Sequence, residues 1–221
     1  MLPRLALFDL DHTLLHGDID VLWCGFLMDE GILQRADFAA CNEQMEARYR
    51  EGSVDARAFA EFYLGTLAGS SAAQWQPLRA RFMMEVIRPR IPRAALALVR
   101  GHLAAGELVA MTTATNRFLT EPTAAHFGIP HLLATEAEMV DGVFTGRASG
   151  TLNMRAGKVT RLAEFLAQRG LTPGEVHSTA YSDSINDLPL LQAVTVPVAV
   201  DPDARLAAIA SERGWRSLSL R

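Results

Sequence analysis

The segment Leu5-Ala-Leu-Phe-Asp-Leu-Asp-His-Thr13 decides the fold, because four apolar residues are followed at once by two acids, Asp9 and Asp11. A short apolar run that stops abruptly at polar residues is typical of a buried parallel strand with a functional loop at its carboxyl end. We therefore predict the first strand of an α/β fold here, with both acids at the edge where such folds place their sites.

From residue 90 onward the chain alternates between strand-like and helix-like segments. The run 108–113 is again apolar and again ends in hydroxyl side chains, after a helix predicted over 93–105. This alternation predicts a doubly wound parallel sheet with helices between its strands. The remaining predicted elements are strands at 131–135, 176–181 and 194–200, a hairpin turn at 141–142, and helices at 118–127, 157–169, 185–192 and 202–211.

Residues 17–89 have a different pattern from the rest of the chain. Apolar residues recur there at helical spacing, for example Phe59, Phe62 and Tyr63, and no strand-like run interrupts them. We therefore predict an all-helical cap domain of residues 17–89, inserted into an α/β core domain formed by residues 1–16 and 90–221.

The composition narrows the class of protein and of partner. Of 221 residues, 49% are hydrophobic and 21% charged, which excludes a disordered or collagen-like chain. The net charge of -4 provides no basic field for nucleic acid or an anionic membrane surface. The charged residue Asp9 interrupts the N-terminal apolar segment too early for a signal peptide. No apolar run reaches the length of about 18 residues that a membrane helix needs. We expect a cytoplasmic protein that binds neither nucleic acid nor a membrane.

Polar residues suited to phosphate chemistry lie at the ends of the predicted strands or at the starts of the helices that follow. Because the carboxyl ends of parallel strands meet at one edge of a sheet, we expect these groups to converge. Neighbouring carboxylates repel unless a cation or a proton lies between them, and a few carboxylates with room for water suit Mg²⁺. Hydroxyl and ammonium donors suit the oxygens of a phosphoryl group. The groups are Asp9, Asp11 and Thr13; Thr113; Lys158; and Asp183, Asn186 and Asp187.

Each of these residues also has a plainer interpretation. Acids at strand ends are common turn and cap residues, and Asp183 and Asp187 can be an N-cap and a first-turn acid of the helix that follows. A lysine on a helix is usually solvated. Lys158 carries more weight because it is the only lysine among 21 basic residues, and it falls close to where the site needs a cation.

In chain order, the stretches Phe8-Asp-Leu-Asp-His-Thr13, Met111-Thr-Thr-Ala114, Lys158 and Tyr181-Ser-Asp-Ser-Ile-Asn-Asp187 resemble the motifs of the haloacid dehalogenase superfamily. The resemblance covers the whole chain. It is closest to the branch of phosphoserine phosphatases and histidinol-phosphate phosphatases, which carry a helical cap between the first and second motifs. It implies a Rossmann-like core and a Mg²⁺-dependent phosphatase acting on a small-molecule phosphate ester.

The resemblance implies a catalytic role for four residues. Asp9 would be the nucleophile that forms an aspartyl-phosphate, and Asp11 the general acid that then serves as a base toward water. Thr113 and Lys158 would bind the transferring phosphoryl group.

The same resemblance implies a metal site. Asp9, Asp183 and the main-chain carbonyl of Asp11 would hold Mg²⁺, with Thr13 and Asp187 supporting these ligands from close by.

The resemblance also implies substrate-binding residues, namely Ala114, Asn186 and Asp18 besides Thr113 and Lys158. Asp18 occupies the place where phosphoserine phosphatases carry a glutamate that recognises the substrate amine. An acid is retained, so we expect a substrate with an amine, such as histidinol phosphate or phosphoserine. The alternative is that Asp18 is only a solvated cap of the first inserted helix. Ser182 departs from the pattern too, because relatives usually have glycine there.

Two other functions use the same residues. A phosphoryl-transferring mutase needs the same site, and a helical cap would exclude water in either enzyme. A non-catalytic receiver-like module would accept phosphate on Asp9, but it does not need a second acid such as Asp11 to turn its phosphoaspartate over.

Overall fold

The computed structural model describes residues 2–221, except for the side chains of Asp37 and Arg50. Its centre is a seven-stranded sheet with the strand order β4-β3-β2-β1-β5-β6-β7. All neighbouring strands are parallel except β3 and β4, which form the predicted hairpin. The strands are β1 (Arg4–Phe8), β2 (Leu108–Asn116), β3 (His131–Val140), β4 (Val143–Ser149), β5 (His177–Ser182), β6 (Val196–Val200) and β7 (Arg216–Leu218).

Helices cover both faces of the sheet, as the doubly wound prediction requires. Because side chains alternate along a strand, Leu5 and Leu7 of β1 pack into one apolar cluster and Ala6 and Phe8 into the other. The helices are α1 (Ile19–Asp29), α2 (Arg35–Glu51), α3 (Ala56–Leu64), α4 (Ala72–Phe82), α5 (Arg93–Ala104), α6 (Arg117–Phe127), α7 (Ala156–Ala167), α8 (Leu188–Ala193) and α9 (Ala204–Arg213).

Segment 17–89 contains α1 to α4 and short helical turns, in agreement with the helical pattern of its sequence. The side chains of Trp23 and Phe82 from this segment belong to the same apolar cluster as Phe8 and Met111 of the sheet. The division of the chain into a cap domain and a core domain remains a prediction, since the two segments share this cluster.

Several predicted boundaries differ from the structure; the strand predicted over 131–135, for example, continues to Val140 in β3. The predicted helix 185–192 is a tight turn, Ile185–Asp187, followed by α8 from Leu188. Pro189 explains this start, because proline lacks an N–H and fits only the first turn of a helix. The second strand extends to Asn116, which pairs with Thr135 beyond an irregularity in the register.

None of the helices in residues 2–221 combines the length and the apolar character that crossing a bilayer demands.

Candidate active site

The site forms where β1 ends between its two neighbours. Phe8, the last residue of β1, pairs with Met111 of β2 and Tyr181 of β5, so the end of β1 lies beside the end of β5 and beside the part of β2 that leads to Thr113. The N–H of Asp9 donates to the carbonyl of Tyr181 at 2.9 Å, and the chain then turns through His12, whose φ of 58° is left-handed. This geometry places the side chains that follow β1 at the edge predicted from the sequence.

Asp9 is buried and both of its carboxylate oxygens have donors. Oδ1 accepts from Nζ of Lys158 at 2.7 Å, and Oδ2 accepts from the Thr13 hydroxyl at 2.9 Å. Burial raises the pKa of Asp9 to about 7; the positive charge of Lys158 opposes this, while Asp187 and Asp11 add to it. Asp9 therefore lies in a site where the negative charge of the carboxylates exceeds the positive charge of Lys158.

Lys158, only 1% exposed, joins two carboxylates at the start of α7. Its Nζ lies 2.7 Å from Asp9 and 2.7 Å from Oδ2 of Asp187, and the same oxygen of Asp187 accepts from the hydroxyl of Ser182 at 2.8 Å. Burial lowers the pKa of Lys158, but the charges of Asp187 and Asp9 outweigh it, so the pKa lies above its ordinary value. The lysine is therefore a fixed cation beside Asp9.

Asp11 faces a different set of donors from Asp9. Oδ1 accepts from the N–H of Ile19 at 2.8 Å, and Oδ2 accepts from the hydroxyls of Thr113 at 3.0 Å and Thr115 at 3.1 Å. Burial, followed by the charge of Asp18, raises the pKa of Asp11 to about 6. Thr113, predicted to bind the phosphoryl group, directs its proton to Asp11 in this structure.

Asp183 lies across the Thr13 hydroxyl from Asp9. That hydroxyl oxygen is 3.0 Å from Oδ1 of Asp183 and accepts from the Asp183 N–H at 3.0 Å. A hydroxyl has one proton, so it satisfies only one of the two carboxylates at a time. Burial and the charge of Asp9 raise the pKa of Asp183 well above its ordinary value.

The oxygen atoms of Asp9 and Asp183 fit the predicted magnesium site. Oxygen atoms of Asp9 and Asp183 share one hydroxyl proton, and the excess of negative charge around them is what a hard divalent cation neutralises. Within residues 2–221 no group of three or more His, Cys, Asp or Glu side chains surrounds one point. The predicted set needs only two such side chains, because its third ligand is the main-chain carbonyl of Asp11.

A cavity of about 360 Å³ opens above these groups. Asp9, Asp11, Asp183 and Asp187 line it, and Ala114 contributes to its wall as predicted. Sequence reasoning missed two lining residues from the inserted segment, Glu46 and Tyr49, which face the same side of α2 one turn apart. Their helix carries no motif, and only the structure identifies the face that meets the cavity.

Asp18 combines both interpretations of its sequence position. It is the N-terminal cap of α1, since its Oδ1 accepts from the N–H of Val21 at 3.1 Å, but it is only 7% exposed and lines the cavity. Burial raises the pKa of Asp18 to about 6, and the charges of Glu46 and Asp9 add to this. Asp18 is therefore a cap that is buried near the carboxylates of Asp9 and Asp11 and is not solvated.

Asn186 does not reach the cavity in this structure. Its Nδ2 donates to the main-chain carbonyl of Tyr49 at 2.9 Å, and its Oδ1 accepts from Nε of Arg155 at 3.2 Å. The amide thus connects the loop before α8 to the end of α2. Its predicted role in substrate binding stays a prediction.

Two further supports of the site have no motif in the sequence. The buried Nδ2 of Asn153 lies within 3.0 Å of the Thr112 hydroxyl and of the carbonyls of Thr113 and Leu133, so it ties β2 to β3 beside the site. A Cβ on Gly157, next to Lys158, would lie 1.9 Å from the carbonyl oxygen of Leu152. Glycine is therefore required where α7 delivers its lysine.

Comparisons with known proteins agree with this geometry. The chain is 40% identical to a histidinol-phosphatase of Neisseria meningitidis serogroup C (strain 8013) over 222 residues, which is all of both chains. It is 34% identical over 223 residues to a phosphoserine phosphatase of Mycobacterium tuberculosis (strain ATCC 25618 / H37Rv), covering all of this chain and 72% of the relative. A crystal structure of a protein of unknown function from Bordetella pertussis Tohama I matches all of both chains with a TM-score of 0.94 and 47% identity.

A family model completes the assignment. The model for haloacid dehalogenase-like hydrolases matches residues 6–192, which include the loop after β1, the end of β2, Lys158 and Asp183. This match and the named relatives confirm the predicted superfamily, the predicted branch and the predicted fold class. The chain therefore belongs to the haloacid dehalogenase-like hydrolases.

Proposed function

We propose that the protein is a Mg²⁺-dependent phosphomonoesterase that hydrolyses a small phosphorylated metabolite through an aspartyl-phosphate on Asp9. The observation that carries this proposal is the 2.7 Å contact between Lys158 and Asp9, in a buried site where Asp11 faces the same cavity. A carboxylate attacks an anionic phosphate only where cations offset their mutual repulsion. Lys158 is such a cation, held in place by Asp187.

In the proposed first step a carboxylate oxygen of Asp9 attacks phosphorus, and the bond from phosphorus to the ester oxygen breaks. Asp11 gives its proton to the departing alkoxide. In the second step Asp11 removes a proton from water, the water oxygen attacks phosphorus, and the bond from phosphorus to the Asp9 oxygen breaks. Inorganic phosphate is released, and both carboxyl groups return to their starting states. A pKa of Asp11 near 6 suits a group that holds a proton for part of the cycle.

Asp9, Asp183 and the carbonyl of Asp11 would hold Mg²⁺. When bound, the ion would supply positive charge to the phosphoryl oxygens. The Lys158 ammonium neutralises the Asp9 side of the site, and Thr13 orients the carboxylates of Asp9 and Asp183 toward each other.

For the substrate, we propose an amine-bearing phosphate ester such as histidinol phosphate or phosphoserine. Asp18 supports this choice, because a buried acid beside other carboxylates is unfavourable unless a cation arrives to neutralise it. The name of the relative from Neisseria meningitidis, which matches along its full length, favours histidinol phosphate.

The test is release of inorganic phosphate from histidinol phosphate, phosphoserine, glycerol phosphate and p-nitrophenyl phosphate, with and without Mg²⁺. We expect metal-dependent release, with the highest kcat/KM on an amine-bearing ester. Asp18→Asn should lower the kcat/KM ratio of amine-bearing over neutral esters. A mutase would instead yield an isomeric ester without free phosphate, and a receiver-like module would stop at one equivalent of phosphoaspartate; either result contradicts the proposal.

A further inference from the structure

A second pocket, of about 440 Å³, lies where the end of α2 meets the core, and no described residue lines both it and the catalytic cavity. Two arginines line it, Arg155 directly before α7 and Arg205 in the first turn of α9. We call it the arginine pocket. Its apolar wall is formed by Ile185, Leu188, Pro189 and Ile209.

The two guanidinium groups converge on Gly52, the residue that ends α2. Nη2 of Arg155 lies 3.9 Å, and Nη1 of Arg205 lies 3.8 Å, from the position that a Cβ on Gly52 would occupy. Glycine ends the helix there in the left-handed conformation, with φ of 75°, and leaves the space between the arginines free of a side chain. Two positive charges this close repel each other unless an anion lies near both.

The described residues do not pair either arginine with a carboxylate. Nη1 of Arg205 donates to the main-chain carbonyl of Glu51, and Nε of Arg155 donates to Oδ1 of Asn186, both at 3.2 Å. Nη2 of Arg155 is buried and has no hydrogen-bond partner in the described part of the chain. A buried N–H group without a partner is unfavourable, so such groups usually meet a ligand or water.

The acids nearest to the arginines are occupied elsewhere or face solvent. Asp203 caps α9, and its two carboxylate oxygens accept from main-chain N–H groups, including that of Arg205. Glu51 is the acid among the described residues of the arginine pocket; it is exposed, and its carboxylate lies near the hydroxyl of Ser53 at 3.5 Å. The positive charge of the pocket is therefore available to a ligand.

We propose that Arg155 and Arg205 bind the phosphate group of a small molecule in the arginine pocket, as an anion site separate from the catalytic cavity. The planar fork of a guanidinium matches two oxygens of a phosphate, so one phosphate can receive paired N–H groups from both arginines. A phosphate monoester carries about two negative charges near neutral pH, which equals the charge of the two arginines. A carboxylate carries one, so it would neutralise only one of them.

The position of the pocket connects this ligand to the catalytic cavity. Arg155 contacts Asn186, whose amide donates to the main-chain carbonyl of Tyr49, a residue of the cavity wall. A phosphate that removes the repulsion between the arginines would stabilise the contact of α2 with the core. Binding in the arginine pocket should therefore fix one wall of the catalytic cavity.

The binding test uses metal-free protein, prepared on a chelating resin, and two probes, inorganic phosphate and phenylphosphonate. Without metal, the carboxylates that line the catalytic cavity repel an anion. Calorimetry in about 0.15 M NaCl, where the Debye length is about 8 Å, suppresses weak surface attraction. We expect saturable binding at one site. Tighter binding of phenylphosphonate, whose ring can cover the apolar wall, identifies an organic phosphate as the ligand, whereas equal affinities identify free phosphate.

Variants assign the binding to the two arginines. Arg205→Gln should weaken it by at least about tenfold, as expected for the loss of hydrogen bonds to a charged group, while the new amide can still donate to the Glu51 carbonyl. Arg155→Lys keeps the charge but loses the planar fork, so it should weaken binding as well. The matched control is Arg213→Gln, on the same helix as Arg205, because the Arg213 guanidinium lies over the ring of Trp215 instead. It should leave the affinity unchanged.

Hydrogen exchange locates the bound probe in the wild-type protein. Phenylphosphonate should slow amide exchange at residues 48–53, around the end of α2, and leave residues 9–13 of the catalytic loop unchanged. Slower exchange confined to residues 9–13 would place the probe in the catalytic cavity and overturn the proposal. Equal affinity of Arg205→Gln and wild type, or the absence of saturable binding, would also overturn it. None of these outcomes bears on the proposed phosphatase activity, which the release of phosphate tests by itself.

Discussion

The ammonium nitrogen of Lys158 lies 2.7 Å from Oδ1 of Asp9, although 149 residues separate the two in sequence. The contact is made because β1 and α7 both direct their ends to the same edge of the sheet. It joins the proposed nucleophile to the only lysine of the chain. A change to either residue therefore alters the same contact.

Asp9→Asn should abolish turnover while the fold survives. The amide keeps an oxygen for Lys158 and can donate to Thr13, but it offers no carboxylate to attack phosphorus. Burial holds the pKa of Asp9 at about 7, so its charged form destabilises the metal-free protein as pH rises from about 4 toward 7. The variant should thus be at least as stable as the wild type at pH 8, as measured by Tm. Retention of a tenth of the wild-type activity in folded protein would rule out Asp9 as nucleophile.

Asp11→Asn should slow the release of an alkyl phosphate much more than that of an aryl phosphate. An alkoxide needs a proton in order to leave, whereas a nitrophenolate departs without one, and general-acid catalysis is worth about 10²- to 10⁴-fold. The hydroxyls of Thr113 and Thr115 can rotate to accept from the new amide, so the local structure should persist. Single-turnover rates on both ester types measure the effect. Equal losses on the two would contradict the role of Asp11 as general acid.

Removal of divalent metal with EDTA should abolish phosphate release, and excess Mg²⁺ should restore it. Ca²⁺ should restore it poorly, because its longer and more variable coordination would misplace the attacking carboxylate of Asp9. Asp183→Asn should raise the Mg²⁺ concentration needed for half-maximal activity, which a titration of activity against Mg²⁺ measures. Full activity in excess chelator would contradict the metal site.

Gly157→Ala should displace Lys158 and destabilise the protein. The new Cβ would lie 1.9 Å from the Leu152 carbonyl, a backbone atom that cannot move away cheaply, so we expect a loss of at least about 2 kcal/mol in the free energy of unfolding. Gly101→Ala is the matched control, because Gly101 is also helical but has no heavy atom within 4 Å of its Cβ position. It should gain about 0.5–1 kcal/mol. Urea titrations of both variants measure the difference.

The residues that a sequence identifies best are those at the ends of its strands. Asp9 and Asp11 follow an apolar run, Asp183 follows the strand predicted over 176–181, and a parallel sheet has one edge at which such strands end. Their convergence therefore follows from topology alone. Lys158 could be added because it is the only lysine, which turns an ordinary helix position into an informative one.

The residues that escaped prediction act through contacts that local pattern does not encode. Asn153 donates hydrogen bonds to two strands outside its own segment, and glycine is required at position 157 by the carbonyl group of Leu152, five residues earlier. Glu46 and Tyr49 lie on a helix whose rotation about its axis decides what they contact. Such rotation depends on tertiary packing, and the helical spacing of apolar residues does not determine it.

The contact between Asn186 and the carbonyl of Tyr49 limits how freely the inserted segment can be exchanged between proteins. The last carbonyls of a helix have no partner within it, and α2 obtains external donors from the core, since Arg205 also donates to the carbonyl of Glu51. A chimera that received a foreign insertion would need an equivalent helix end at the same position, or the amide of Asn186 would lose its acceptor directly beside Asp187. Transplanting substrate preference within this family therefore requires moving the insertion and its docking residues as one unit.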